Sequence, residues 1–484
     1  VDEPGLKLRT ARTLKWNSID RFSSQVLYGV VGIVLANLLS KSDFGLVGAI
    51  LVFQSFAVIF VDSGFGAALL QKKNPTEEDY DTVFWFNLTV AVIVYLLLWL
   101  FSPMISEIFH SDELTDMSRV MFLSFIFTAL GIVQTNRLMK RMEVRQIAVA
   151  NIVGQTLSGA LAIYLSLEGY GAWALVWQAI ALSLIKTGWL WLVVRWRPRV
   201  RFSFASLRGI AGVGAGVFVT SLLNTICLNI YNFIIGFYYR LSALGVYTQA
   251  DKWSKMGSAS LSQIYTATFV PLLSKFQDKT GEFCAMVGKV NRMVAFLTFP
   301  FMGALIILAE PIFHLLFGTK WDEAVPLFQI LVGRGILVVL ISLYSNYILS
   351  LGKSKLLVAV EVVKDILIVA AIFVTLPLGS IEALVWGQFY ASLATFLLSL
   401  VIMCRASGYR WWRILTDNLP YMLLTAVCMG LAALISVWLT HPSLVISVGL
   451  VVAGLVYYGV LALLGSVVLR DAKTYLFGRF SRRK

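Results

Sequence analysis

Charge is what this chain has least of. Only 14% of its 484 residues are Asp, Glu, Lys or Arg, while 58% are apolar. A soluble chain of this length divides into charged-surfaced domains in which about a quarter of residues are ionised, so that class is excluded. Histidine is nearly missing too. His110, His314 and His441 are the three, each in or beside a short predicted loop, so no histidine lies inside the membrane to serve a membrane enzyme. The four cysteines, Cys227, Cys284, Cys404 and Cys428, show no CxxC spacing and read as small apolar residues rather than a disulfide framework or zinc site. Val1 to Lys15 is polar and basic. It lacks the apolar stretch of a cleavable signal peptide, and the missing initiator Met reads as a trimmed terminus.

The apolar residues come in continuous runs of about 20, the length that carries a helix across a ~30 Å hydrocarbon layer. The runs do not alternate, which excludes a β-barrel. The expected class is an all-α integral membrane protein with about fourteen transmembrane helices. They are placed near 14–39, 43–62, 81–101, 116–136, 146–167, 170–194, 207–238, 243–273, 283–309, 322–350, 355–377, 380–404, 419–440 and 444–468.

The net charge of +14 is a topological signal rather than a nucleic-acid footprint, because the basic residues gather in the loops on one side. Those clusters lie at Lys7 to Lys15, Lys72 and Lys73, Arg137 to Arg145, Arg195 to Arg208, Lys275 and Lys279, Lys353 and Lys355, Arg405 to Arg413, and Arg470 to Lys484. They hold 28 Lys and Arg, whereas the opposite loops hold only Lys41, Arg240 and Lys320. Both termini are therefore expected in the cytoplasm. The longest opposite loop, expected at 102 to 116, carries Glu107, Asp112, Glu113 and Asp116 and no base. It is too short to house an enzyme domain.

Three segments recur at an offset of 200 to 209 residues. Ser42-Asp43-Phe44-Gly45-Leu46 returns as Ser242-Ala243-Leu244-Gly245-Val246. Pro103-Met104-Ile105 with Ile108-Phe109 returns as Pro311-Ile312-Phe313 with Leu316-Phe317. Ala174-Leu175-Val176-Trp177 returns as Ala383-Leu384-Val385-Trp386. Six helices per repeat is an even number, so the copies share one orientation and form a parallel repeat, which places a substrate site near the midplane between the halves. The expected organisation is an N-lobe over 1–200, a C-lobe over 201–405, and a terminal helix pair with a basic tail over 406–484.

Nine bases lie inside predicted spans, where each ionised side chain costs roughly 2.5–3.5 kcal/mol and normally faces a cavity or a partner. The eighth helix is the most polar, with Asp251-Lys252-Trp253-Ser254-Lys255 at its centre and Lys252, Lys255, Ser262 and Thr266 on one face. The first carries Asn17, Arg21, Ser24 and Tyr28 on one face with Asp20 beside it, and the seventh carries Asn229 and Asn232. Arg292 and Lys289 fall in the ninth helix, Arg334 in the tenth and Lys186 in the sixth. Glu361, Lys364 and Asp365 sit in the eleventh at a spacing that allows a local ion pair. Arg21, Lys252, Lys255, Arg292 and Arg334 have only Asp20 and Asp251 as local acids. A cationic cavity of this kind suits a phosphate or diphosphate. Snorkelling towards the interface is the alternative for Arg21 and Lys289.

Several segments carry a family resemblance: Lys15-Trp16, Asp43-Phe44-Gly45-Leu46, Asp62-Ser63-Gly64-Phe65-Gly66, Phe84-Trp85-Phe86-Asn87, Leu244-Gly245-Val246-Tyr247, Phe269-Val270-Pro271 and Phe317-Gly318-Thr319-Lys320-Trp321. With them the chain resembles the Wzx-type polysaccharide flippases, in particular their WzxC-like branch, of the multidrug/oligosaccharidyl-lipid/polysaccharide exporter superfamily. The resemblance implies a V-shaped pair of six-helix lobes in the bacterial cytoplasmic (inner) membrane. It also implies alternating access and a lipid-linked oligosaccharide, an undecaprenyl-diphosphate glycan, moved from the cytoplasmic to the periplasmic leaflet. The implied partners are that cargo, membrane lipid, and a polymerase or glycosyltransferase of polysaccharide assembly. Asp20, Asp251 and Glu361 are the candidates for carrying a coupling H+ or Na+. A cation-coupled drug antiporter of the same superfamily and a membrane enzyme of polysaccharide assembly are the alternative readings.

Overall fold

The computed structural model describes residues 4–62, 64–439, 441–466 and 468–470. Ser63 and most of the basic tail counted for orientation lie outside the described residues. The described residues form seventeen α-helices, joined by short turns and without strands. In chain order they are α1 (Pro4–Leu38), α2 (Lys41–Asp62), α3 (Phe65–Gln71), α4 (Glu77–Phe109), α5 (Glu113–Met121), α6 (Leu123–Lys140), α7 (Val144–Leu167), α8 (Trp173–Val193) and α9 (Phe204–Tyr238). There follow α10 (Leu241–Leu273), α11 (Thr280–Ile307), α12 (Ala309–Phe317), α13 (Ala324–Ser350), α14 (Ser354–Thr375), α15 (Ile381–Ser407), α16 (Trp411–Trp438) and α17 (Pro442–Leu463).

Twelve segments among the described residues are long and apolar enough to cross a membrane, with α5 and α6 together making one of them. The other two of the fourteen expected crossings are α10 and α14. They are 33 and 22 residues long, ample for a bilayer, but each carries a central group of charges. The helices with an ionised middle are thus the ones that apolarity alone does not count.

Helix boundaries follow local chemistry. Thr76 caps α4 by accepting from the Asp79 backbone N–H at 3.2 Å, while Asp79 accepts from the Thr76 N–H at 2.8 Å, a reciprocal capping box. Ser40 and Asp43 make the same exchange at the start of α2, at 2.7 and 3.2 Å. The stretch 102–116, expected as a loop, is mostly helical, since α4 continues to Phe109 and α5 begins at Glu113. Pro103 is accommodated inside α4. Pro103 has no N–H for the Trp99 carbonyl, and the Ser102 hydroxyl donates to that carbonyl instead, at 2.8 Å. In α11 the carbonyl freed by Pro300 belongs to Phe296, and it accepts from the Tyr457 hydroxyl of α17 at 3.1 Å. Unsatisfied carbonyls are costly in a bilayer, and these two side chains remove that cost.

The chain divides into two compact units, Val1–Thr248 and Gln249–Lys484. Within the first, α4 packs on α6, α6 on α8 and α8 on α7. Within the second, α11 packs on α13, α13 on α15 and α15 on α14. The neighbour relations are the same in both, as an internal repeat requires. α9 joins the first unit against α2, α3 and α4, and α16 and α17 join the second against α11 and α12.

Candidate functional site

The repeat meets itself at one point inside the first unit. Gly45 of α2 lies against the Leu241 carbonyl at the start of α10, and Gly245 lies against the Lys41 carbonyl, with the Gly45 backbone N 3.0 Å from where a Cβ on Gly245 would stand. The four residues pair at an offset of 200, so the contact is reciprocal. A Cβ on either glycine would collide with backbone, and glycine is the residue that permits this approach. Here the recurring motif has a physical purpose: it lets two helix starts touch.

In the first unit, Asp20 of α1 is met by side chains of two other helices. Both its carboxylate oxygens accept from Asn151 Nδ2 at 3.1 Å, and the Ser24 hydroxyl donates to it at 3.4 Å. Lys186 of α8 lies within electrostatic reach of the same carboxylate. Three helices, α1, α7 and α8, thus converge on one acid, and Asn151 had no signal in the sequence beyond being polar. Arg21, next along α1, is exposed. On α9, Asn229 donates to the Thr225 carbonyl of its own helix at 3.0 Å, whereas the Asn232 carbonyl oxygen is buried without a hydrogen-bond partner.

In the second unit several bases that local sequence left unmatched have carboxylates. Lys255 pairs with Asp251 one turn earlier on α10 at 2.6 Å. Arg292 of α11 donates to Asp417 of α16 at 2.6 Å, and the Tyr409 hydroxyl donates to the other Asp417 oxygen, also at 2.6 Å. The counter-ion for Arg292 stands 125 residues away in a helix outside the repeat, where no spacing rule reaches it. Lys364 pairs with Glu361 and lies 3.8 Å from Asp365, the local trio expected from their spacing. Lys289 is exposed.

Two further bases lie on α10 and α13. Lys252, half-buried on α10, has its ammonium 5.4 Å from the centre of the Trp253 ring. Arg334, near the middle of the 27-residue α13, donates from Nε to the Ser392 hydroxyl of α15 at 3.2 Å. Among the described residues no carboxylate stands within ion-pair distance of it. α13 is otherwise free of charge along its whole length.

Two clefts were not legible in the sequence. One, of about 700 Å³, lies at the end of α9 and the start of α10 and is lined by Phe109, His110 and residues 237–243, among them Tyr238, Tyr239 and Arg240. Its lining is aromatic with one base. The other, of about 530 Å³, lies at the start of α4 and the ends of α6 and α8 and is rich in arginine.

The fold has solved counterparts. A lipid II flippase MurJ in an inward closed conformation superposes over 94% of this chain and 99% of its own, with a TM-score of 0.74 at 14% identity. An inward-facing multidrug resistance MATE family transporter of the MOP superfamily matches with a TM-score of 0.57 at 17% identity, over 79% and 96%. Among characterised sequences, the teichuronic acid biosynthesis protein TuaB of Bacillus subtilis is 27% identical over 84% of this chain and 86% of its own length. The succinoglycan biosynthesis transport protein ExoT of Rhizobium meliloti is 25% identical over 85% and 81%, and the lipopolysaccharide biosynthesis protein WzxC of Escherichia coli is 23% identical over 86% and 86%. The family model described as "Polysaccharide biosynthesis protein" matches residues 34–326, more than half of the chain, and the chain belongs to that family.

Proposed function

We propose that this protein is a lipid-linked oligosaccharide flippase, carrying a polyprenyl-diphosphate glycan from the cytoplasmic to the outer leaflet of a bacterial inner membrane by alternating access. The observation that carries the reading is Arg334. A guanidinium in the middle of an apolar helix costs several kcal/mol unless something anionic meets it, and here it has only a serine hydroxyl. A diphosphate supplies that anion, and the guanidinium fork suits its oxygens. Lys252 of α10 is the second base in this reading, while Arg292 and Lys255 are paired with Asp417 and Asp251. Family membership supports the reading, since its relatives bear names of polysaccharide biosynthesis and transport. The fold shared with a lipid II flippase supports the mode of action.

In the cycle, diphosphate and glycan leave the cytoplasmic side while the polyprenyl tail stays in lipid. Both termini are cytoplasmic on this reading, because the basic loops are. The aromatic cleft at the end of α9 then lies at the outer face, where tyrosine and phenylalanine rings offer the departing sugars a surface. A membrane potential negative inside favours outward movement of an anion by about 2.3 kcal/mol per charge per 100 mV. The candidates for carrying a coupling H+ or Na+ are Asp20, Asp251 and Glu361. A drug antiporter would call for an acidic site, and Arg334 and Lys252 are the wrong sign.

The test is transport of a fluorescent polyprenyl-diphosphate glycan by reconstituted protein. Arg334→Ala and Lys252→Ala are expected to reduce the initial rate at least tenfold with folding unchanged, and Lys255→Ala to do less. Undiminished transport in the first two would remove the cationic site from the account.

A further inference from the structure

The arginine-rich cleft at the start of α4 is lined by Glu77, Arg137, Arg141 and residues 195–199, so five arginines surround one acid. That acid is already engaged. Arg137, itself buried, donates to both Glu77 oxygens at 2.7 and 2.9 Å and lies 4.6 Å from the Tyr80 ring and 5.3 Å from the Trp196 ring. Arg197 donates to the Val194 and Trp196 carbonyls at 2.8 and 3.0 Å. Arg141, Arg195 and Arg199 are exposed, and among the described residues none has a carboxylate within ion-pair distance.

The segment carrying these arginines is held in place. The Arg199 N–H donates to Asp81 at 3.0 Å, the Arg199 carbonyl accepts from Trp85 Nε1 at 2.7 Å, and the Ser203 N–H donates to Thr82 at 3.1 Å. Asp81 and Thr82 are fully buried. Three polar groups of one helix are thus used to fix the backbone between α8 and α9 with its guanidinium groups turned towards one cleft. The same stretch of chain carries bare apolar side chains, Leu192 81%, Val200 92% and Phe204 79% exposed.

We propose that this cleft binds the phosphate of an anionic phospholipid, with Arg141, Arg195 and Arg199 on the headgroup and the acyl chains against Leu192, Val200 and Phe204. Guanidinium groups bind phosphate oxygens in pairs, and basic pockets between membrane helices on the cytoplasmic side hold such headgroups. The adjoining apolar surface is the reason for a lipid-borne phosphate over a free one. The inference rests on the membrane placement of the chain and is independent of its cargo.

The test uses the full-length protein in phosphatidylcholine nanodiscs titrated with phosphatidylglycerol, with bound lipid counted by native mass spectrometry. A hydrogen bond to a charged group is worth roughly tenfold or more in affinity, so Arg195→Gln/Arg199→Gln is expected to weaken phosphatidylglycerol binding at least tenfold. Arg405→Gln/Arg410→Gln, equal in charge but outside the cleft, is expected to leave it within twofold, and an equal loss in both would reduce the site to general surface potential. In the wild type, modification of Arg195 and Arg199 by phenylglyoxal is expected to slow at least fivefold in phosphatidylglycerol. Equal modification in phosphatidylcholine would overturn the proposal without reliance on a variant. Two further arms use undecaprenyl diphosphate in phosphatidylcholine and inorganic phosphate. Weaker protection by both supports the phospholipid, and stronger protection by either contradicts it. Transport is not read in any arm, so failure here leaves the flippase reading standing.

Discussion

Asp417 has a side chain only 7% exposed and accepts from two donors, Arg292 and Tyr409. Arg292 is 38% exposed, so removing it leaves the buried carboxylate short of one donor at a cost of about 1–3 kcal/mol. Arg292→Ala is therefore expected to lower the thermal midpoint of the purified protein markedly. The apolar double substitution Arg292→Met/Asp417→Leu should recover most of the loss, because no charge is then left buried. Failure of the double variant to recover would show that Arg292 is engaged elsewhere. Tyr409, in the turn before α16, has its phenol pushed up from the ordinary value near 10 by burial and by donation to Asp417. The native state then holds a proton that the unfolded state gives up, so stability present below pH 10 falls as pH rises beyond it. Tyr409→Phe should flatten that alkaline loss in a midpoint-against-pH series. The sequence marked Arg292 as a base in need of a partner, but the partner lies 125 residues away, and only the packing of α11 on α16 brings them together. Arg137 shows the same limit. It reads as one more loop cation, yet it is buried against Glu77, 60 residues earlier.

Among the elements, α2 and α10 depend on each other through Gly45 and Gly245. A Cβ at either position would meet backbone rather than a movable side chain, and overpacking of this kind costs typically about 1–3 kcal/mol. Gly45→Ala and Gly245→Ala should each lower the thermal midpoint. The double variant should lose less than the sum, since both open the same gap. Strict additivity would mean the two glycines do not share a contact. The segment 195–199 makes a second prediction. Its backbone is held by Trp85 Nε1 on the Arg199 carbonyl, and one such hydrogen bond is worth about 1 kcal/mol. Trp85→Phe should speed tryptic cleavage after Arg195 and Arg199 about threefold to tenfold, with unchanged cleavage contradicting the restraint. The helices themselves were legible from apolar runs, and the Gly45 and Gly245 motifs from their recurrence. The continuation of α4 through Pro103 was not, because it depends on Ser102 supplying a donor to the Trp99 carbonyl, a detail that composition does not convey.

On the scale of the whole molecule, two units repeat one packing pattern, α4–α6–α8–α7 and α11–α13–α15–α14, in a family of polysaccharide biosynthesis proteins. Twelve segments of the described residues count as membrane spans by apolarity, and the two further crossings expected from the sequence, α10 and α14, carry the charges that keep them from being counted. The proposed orientation rests on the basic loops. In a background without Cys227, Cys284, Cys404 and Cys428, Ser111→Cys should react with an impermeant thiol reagent from outside intact cells, and Pro198→Cys only after permeabilisation. The reverse result would invert the topology. The most direct measurement of the central claim is leaflet exchange in proteoliposomes containing the wild-type protein. The account predicts translocation of a polyprenyl-diphosphate glycan that quickens when the potential favours outward movement of the anion, and no translocation of a neutral glycolipid with the same chain. Equal movement of both lipids, or export of an organic cation in place of either, would contradict it.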